Sequence, residues 1–125
     1  MQNKKFQILI VDDEEDINEI CCDAFEVEGF KVFSACSAEL ALEIFLRENI
    51  DVIISDSMMP GIKGEELFHQ IKESGERIPY FFLSTGMIDM DEDAFITQGA
   101  AGVISKPFDI GEMINRVREK LTSAA

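Results

Sequence analysis

A one-domain α/β fold built on a parallel sheet is predicted by three features of the sequence. Five apolar, strand-like runs alternate with five helix-like stretches, the signature of repeated βαβ units. The run Val52-Ile53-Ile54 is apolar on both sides of the pleat, as suits a strand covered by helices on both faces. The 125 residues suffice for a real core and leave no room for a second globular unit, so 1–125 reads as a single domain ending in a short tail, 122–125.

The first strand is expected over Phe6–Val11 and ends in the acidic run Asp12-Asp13-Glu14-Glu15-Asp16. The helix that follows carries Ile17, Ile20, Cys21, Ala24 and Phe25 on one face and stops at Gly29. Its leading acids complement the positive end of the helix dipole. Lys31–Ala35 is less continuously apolar than the other runs, as an edge strand would be. Ser37 caps the second helix, whose buried stripe is Ala38, Ala41, Leu42 and Phe45 and whose end is Asn49.

The central strand runs into Asp56, and Pro60-Gly61 opens a loop before the third helix, expected from about Gly64 to Ser74. That helix turns Leu67, Phe68 and Ile71 inward and stops at Gly75. Pro79–Ser84 is another buried strand, which delivers Thr85 and Gly86 to the same edge as Asp56. Asp89 and Glu92 have capping-box spacing, so a short, acidic fourth helix is expected to open there and to end before Gly99. Gly102–Lys106 is a brief last strand stopped by Pro107. Asp109, with Glu112 three residues on, opens the fifth helix, with Ile110, Met113, Ile114, Val117 and Leu121 inward.

Composition excludes several functions. A formal charge of −14 repels a phosphate backbone, so direct nucleic-acid binding is not expected, and partners should be proteins or cations. No apolar run approaches the ~20 residues of a membrane span, and the N-terminal residues lack a signal-like apolar region. A cytoplasmic chain with no membrane contact is the expectation. Cys21, Cys22 and Cys36 are odd in number and lack Cys-x-x-Cys spacing, which argues against a disulfide framework or a zinc site. The one histidine, His69, lies among polar residues and reads as a surface group.

With every crossover right-handed, the carboxyl ends of all five strands share one rim. That rim collects Asp12, Asp13, Asp56, Thr85 and Lys106. Three carboxylates ~4–6 Å apart repel by about 3–4 kcal/mol per pair at an effective dielectric near 20. Lys106 supplies one compensating charge, and Mg²⁺, a hard cation held by one or two carboxylates and phosphate oxygens, would supply two more. A metal, an ammonium and a hydroxyl around one carboxylate suit phosphoryl transfer to that carboxylate. Taken singly, Asp56 also fits a turn cap and Lys106 a solvated surface lysine; the rim brings them together.

These residues resemble the receiver domain of two-component response regulators, of the chemotaxis-regulator type. The matching positions are Asp12-Asp13 after the first strand, Asp56 followed by Met59-Pro60-Gly61 and Gly64, Thr85-Gly86, and Lys106-Pro107-Phe108. The resemblance spans essentially the whole chain. It implies a flavodoxin-like (βα)5 three-layer sandwich with strand order 2-1-3-4-5. It implies phosphorylation of Asp56 by a histidine kinase or histidine phosphotransfer protein, and a conformational switch that controls a downstream protein target or output domain. By matching position, Asp13, Asp56 and the backbone carbonyl of Met58 would bind Mg²⁺ directly and Asp12 through water. Lys106 would pair with phosphoryl oxygens, Thr85 would hydrogen-bond one of them, and Lys106–Pro107 would be a cis peptide. The chain would be no conventional enzyme, its chemistry being self-phosphorylation and self-dephosphorylation at Asp56. The sequence leaves open whether phosphorylation drives homodimer formation and whether the domain acts alone.

Several positions depart from the family pattern. Val103 stands where many members carry an aromatic residue that swings toward the threonine, and a valine lacks that reach. Met58 and Met87 are apolar where a polar side chain could orient an attacking water, which predicts slow self-dephosphorylation; they read equally as plain exposed methionines without such a role. Met87, Ile88 and Met90 set apolar groups among Asp89, Asp91, Glu92 and Asp93, a composition that suits either partner binding or burial. Rival readings fit less well. A phosphohydrolase of the haloacid dehalogenase type needs an acid where Met58 stands, and a flavodoxin-like cofactor carrier needs a Ser/Thr/Gly-rich first loop where this one is acidic. A phosphorylation-independent receiver-like interaction module is the alternative that retains the fold.

Overall fold

A computed structural model describes residues 5–86 and 91–123. Ten elements alternate: β1 Gln7–Val11, α1 Glu15–Val27, β2 Lys31–Ala35, α2 Ala38–Arg47, β3 Val52–Asp56, α3 Gly64–Glu73, β4 Tyr80–Thr85, α4 Glu92–Thr97, β5 Gly102–Ser105 and α5 Ile110–Ser123. The strands form one parallel sheet in the order β2-β1-β3-β4-β5. This is the flavodoxin-like (βα)5 sandwich. The expected tail is shorter than anticipated, because α5 continues through Ser123.

Alternation along each strand divides the core into two layers. Leu9, Val11, Ile53, Phe81 and Leu83 face α2, α3 and α4, while Ile8, Ile10, Val52, Ile54, Phe82 and Ile104 face α1 and α5. β3 is buried at all five positions, whereas the edge strand β2 is mostly exposed or half-buried. The rings of Phe68, Phe81 and Phe95 hold the short α4 to the sheet, with Phe68 centroids 5.0 Å from each of the other two. Edge and tilted contacts of this kind add to the burial itself. Gly29 and Gly75 follow α1 and α3 at φ +94° and +80°, a backbone that glycine adopts without strain.

The helical stripes differ from expectation in three places. On α1, Ile20 is 54% exposed, and the inward positions are Asn18, Cys21 and Phe25. The buried face is rotated because a polar side chain with partners across the layer takes an inward place. On α2, Ile44 is buried and Leu42 only half-buried, and the helix ends at Arg47 rather than Asn49. The described α4 begins at Glu92 with Asp91 as its cap, Oδ1 accepting from the Ala94 N–H at 3.1 Å; Asp89 lies outside the described residues. Ser37 and Asp109 accept from the N–H groups of Leu40 and Glu112 at 3.2 and 3.1 Å, as helix caps do.

Candidate functional site

β3 ends in Asp56 because the apolar run that fills both layers stops there, and the chain must then leave the sheet. The Asp56 carboxylate is 6% exposed, at the carboxyl end of the central strand. Parallel α/β sheets carry their sites at this edge. The loop beyond it is held close: the Ser57 N–H donates to the Ser84 carbonyl at 2.9 Å and the Gly64 N–H to the Ser57 carbonyl at 3.2 Å. A Cβ on Gly64 would stand 2.4 Å from the Asp56 carbonyl oxygen and 2.7 Å from Leu83 Cδ1, so only glycine lets α3 start this near the strand end. The Met58 N–H points at Asp56 Oδ1, 3.3 Å away, while the Met58 side chain is 56% exposed.

Three of the expected carboxylates come together. Ligand oxygens of Asp12, Asp13 and Asp56 lie within 4.8 Å of one another, with Asp12 and Asp56 buried and Asp13 exposed. Lys106 Nζ is 3.1 Å from Asp56 Oδ1, and the Lys106–Pro107 peptide is cis. Burial pushes the Asp12 carboxyl above its usual range, and the Asp56 charge adds to this; the Glu14 N–H, donating to Asp12 Oδ1 at 2.9 Å, and Lys106 act the other way. One lysine among three acids leaves local negative charge. All-oxygen donors with surplus negative charge fit a hard divalent cation such as Mg²⁺ and are poorly suited to softer metals.

Thr85 is buried at the last position of β4, at the same sheet edge as Asp56. Asp56 follows Ile54 by two residues, so it faces the α1/α5 layer, as Asp12 does after Ile10. On β4 the same face is marked by Phe82, and two residues later comes Ser84, whose register partner is Asp56. Thr85 ends β4 one residue later, its carbonyl accepting from the Lys106 N–H at 2.8 Å. Among the described residues, the buried Ser84 hydroxyl finds no hydrogen-bond partner. The sequence reading did not single out Ser84 beside Thr85. The signal for it was the two-residue count from Phe82, which needs the register of β4 against β3 to be interpreted.

Val103 is half-buried against the α2/α3/α4 layer on the sheet's edge strand, and both of its outward backbone groups are taken. Its N–H donates to Glu92 Oε2 at 2.8 Å, and its carbonyl accepts from Arg116, which also pairs with Glu92 at 3.2 Å. The hydrogen bond from Val103 and the Arg116 guanidinium hold the Glu92 carboxyl below its usual range. Side chains from α4 and α5 thus occupy the edge that another strand would use. Met87, Ile88 and Met90 lie outside the described residues. Among the described residues, no helix is long and apolar enough to cross a membrane.

A family model described as "Response regulator receiver domain" matches residues 8–118. The response regulator SaeR of Staphylococcus aureus (strain USA300) is 36% identical over 115 residues, 92% of this chain. The match takes in 50% of SaeR, so the chain spans about half the length of the curated relatives it matches. Among solved structures, the Francisella response regulator 1452 receiver domain superposes with a TM-score of 0.86 at 25% identity, covering 97% of this chain and 100% of the other. A response regulator receiver domain protein from Clostridium thermocellum gives 0.85 at 26% identity, covering 95% and 96%.

Proposed function

The chain belongs to the response regulator receiver domain family, and from that premise we propose that it takes a phosphoryl group onto Asp56 from the phosphohistidine of a histidine kinase or histidine phosphotransfer protein. The observation that carries the reading is the buried Asp56 carboxylate, paired to Lys106 at 3.1 Å and facing two further acids. Receiver domains are not conventional enzymes; the chemistry is a single transfer and its hydrolysis.

In the transfer, an Asp56 carboxylate oxygen attacks phosphorus in line, the new O–P bond forms as the N–P bond breaks, and the histidine nitrogen keeps the electron pair. Lys106, already at Asp56, shifts its ammonium to the equatorial phosphoryl oxygens, where negative charge must be offset. The Thr85 hydroxyl, at the carboxyl end of β4, donates to one of those oxygens, with Ser84, the register partner of Asp56, beside it. Asp13, Asp56 and the Met58 carbonyl would hold Mg²⁺, with Asp12 acting through water. When bound, that cation offsets the phosphoryl charge that the acids would otherwise repel.

The acyl phosphate changes the charge at the rim and biases the fold between two arrangements that a protein target or an attached output domain reads. With Val103 anchored between Glu92 and Arg116, the loop after β4 rather than an aromatic swing carries the change. The reading is tested by intact mass after incubation with acetyl phosphate. A Mg²⁺-dependent gain of about 80 Da, one phosphoryl group, that Asp56→Asn abolishes is the expected result. No gain under any condition overturns it in favour of a contact-only module.

A further inference from the structure

We propose that Asn18 is a positioning residue for the acidic site: its carboxamide sets the β1–α1 turn so that Asp12 and Asp13 stand ready for a divalent cation. The inference rests on the Mg²⁺ site of the proposed function and adds a residue to it. Asparagine is a poor helix former, yet Asn18 sits in the first half of α1 with its side chain buried. Neither of its amide protons serves the helix. Nδ2 donates to the carbonyl of Asp12 at 3.1 Å and to the carbonyl of Ala35 at 3.1 Å, so one group joins α1 to the ends of both β1 and β2. Carbonyl oxygens only accept, which fixes which way the amide is turned, and its Oδ1 accepts from the Cys22 thiol at 3.2 Å.

The peptide joining Asp12 to Asp13 is planar, so holding the Asp12 carbonyl oxygen orients that whole plane and with it the direction in which both side chains leave the backbone. Two further bonds complete the restraint: the Asp12 N–H reaches the Ala35 carbonyl at 3.1 Å, and the Glu14 N–H reaches Asp12 Oδ1 at 2.9 Å. Like charges would otherwise swing the carboxylates apart until a cation gathered them. Asn18 does in advance what the cation would have to do on binding. Groups that orient metal ligands commonly change affinity by tenfold or more when removed.

The test is calorimetric titration with Mg²⁺ alone at fixed ionic strength, with no phosphoryl donor present, on wild type, Asn18→Leu, Asn18→Ser and the reference Val117→Ala. Val117 is fully buried in α5, outside the β1–α1 turn, so its truncation destabilises the fold without removing a bond to that turn. The expected result is a Kd for Mg²⁺ raised about tenfold in both Asn18 variants, with Val117→Ala binding like wild type despite an equal or larger fall in melting temperature. If Asn18→Leu fails to fold, the serine variant decides. A Kd within twofold of wild type in a folded Asn18 variant, or equal weakening in Val117→Ala, overturns the proposal. Wild type that binds no Mg²⁺ overturns the cation site itself, whereas normal Mg²⁺ binding without phosphorylation of Asp56 leaves the Asn18 role standing and removes only the transfer.

Discussion

Replacing Asp12 by asparagine should make the metal-free protein more stable. Asp12 is buried with its carboxylate within 4.8 Å of that of Asp56. At an effective dielectric near 20 that pair repels by about 3.5 kcal/mol, and by about 1 kcal/mol if water screens it fully. Asparagine keeps the shape and the acceptor for the Glu14 N–H, and the lost attraction to Lys106 offsets part of the relief. The expected gain is therefore about 1–3 kcal/mol, or roughly 3–10 °C in melting temperature for a domain of this size.

The pH signature follows from the same carboxyl. Asp12 in the fold holds its proton more tightly than in the unfolded chain, so the metal-free wild type gains stability as pH falls through the raised folded pKa. That gain should be missing from the variant. With Mg²⁺ present the order reverses, because a cation that binds only the folded chain stabilises by mass action and the variant binds it weakly. Thermal unfolding in chelator and in millimolar Mg²⁺ measures both arms. A variant that is no more stable than wild type in chelator refutes the claim that the three acids repel.

Other substitutions probe other parts of the rim. Gly64→Ala forces a Cβ against the Asp56 carbonyl and Leu83, and urea unfolding should show a loss of about 2–4 kcal/mol. Thr85→Val removes the hydroxyl proposed to bond a phosphoryl oxygen, so the affinity for the phosphoryl mimic beryllofluoride should fall; Ser84→Ala, which removes a hydroxyl without a partner among the described residues, should change stability by less than about 1 kcal/mol and leave that affinity nearer wild type. Met58→Asn puts a polar, exposed side chain beside Asp56 and should speed phosphate loss from the phosphorylated protein; an unchanged rate removes the role assigned to Met58. Arg116→Met releases the Val103 carbonyl and Glu92 together and should cost about 1 kcal/mol in urea. The Glu92 pKa is depressed in the fold, so its contribution is present above the unfolded value and fades as pH drops through the folded one, which comparison with Glu92→Gln across acid pH would read.

Most of the architecture was legible because burial on two faces leaves a strong mark. A run such as Val52-Ile53-Ile54 admits few places other than a central strand, and the acids that follow such runs meet through topology alone. What the sequence concealed depended on contacts across layers. Ile20 looked inward by its spacing, but the inward place belongs to Asn18, whose bonds to two other chain segments no periodicity of apolar residues can reveal. Ser84 and Thr85 could not be told apart because Tyr80–Leu83 is apolar at every position, and a run without alternation does not say which face its last residues take. The register, which pairs Ser84 with Asp56 and leaves Thr85 last on the strand, belongs to the assembled sheet. The capping of Val103 by Glu92 and Arg116 is likewise a meeting of α4, β5 and α5 that has no local signature.

The most direct test is to find where the phosphoryl group goes. Protein treated with acetyl phosphate and Mg²⁺ is reduced with borohydride, which converts an aspartyl phosphate to homoserine, and is then digested and sequenced by mass spectrometry. Homoserine at position 56, absent when Mg²⁺ is chelated, is the predicted result. Homoserine at another aspartate, or none despite a wild-type fold and bound Mg²⁺, would contradict the assignment of Asp56 as the phosphoryl acceptor.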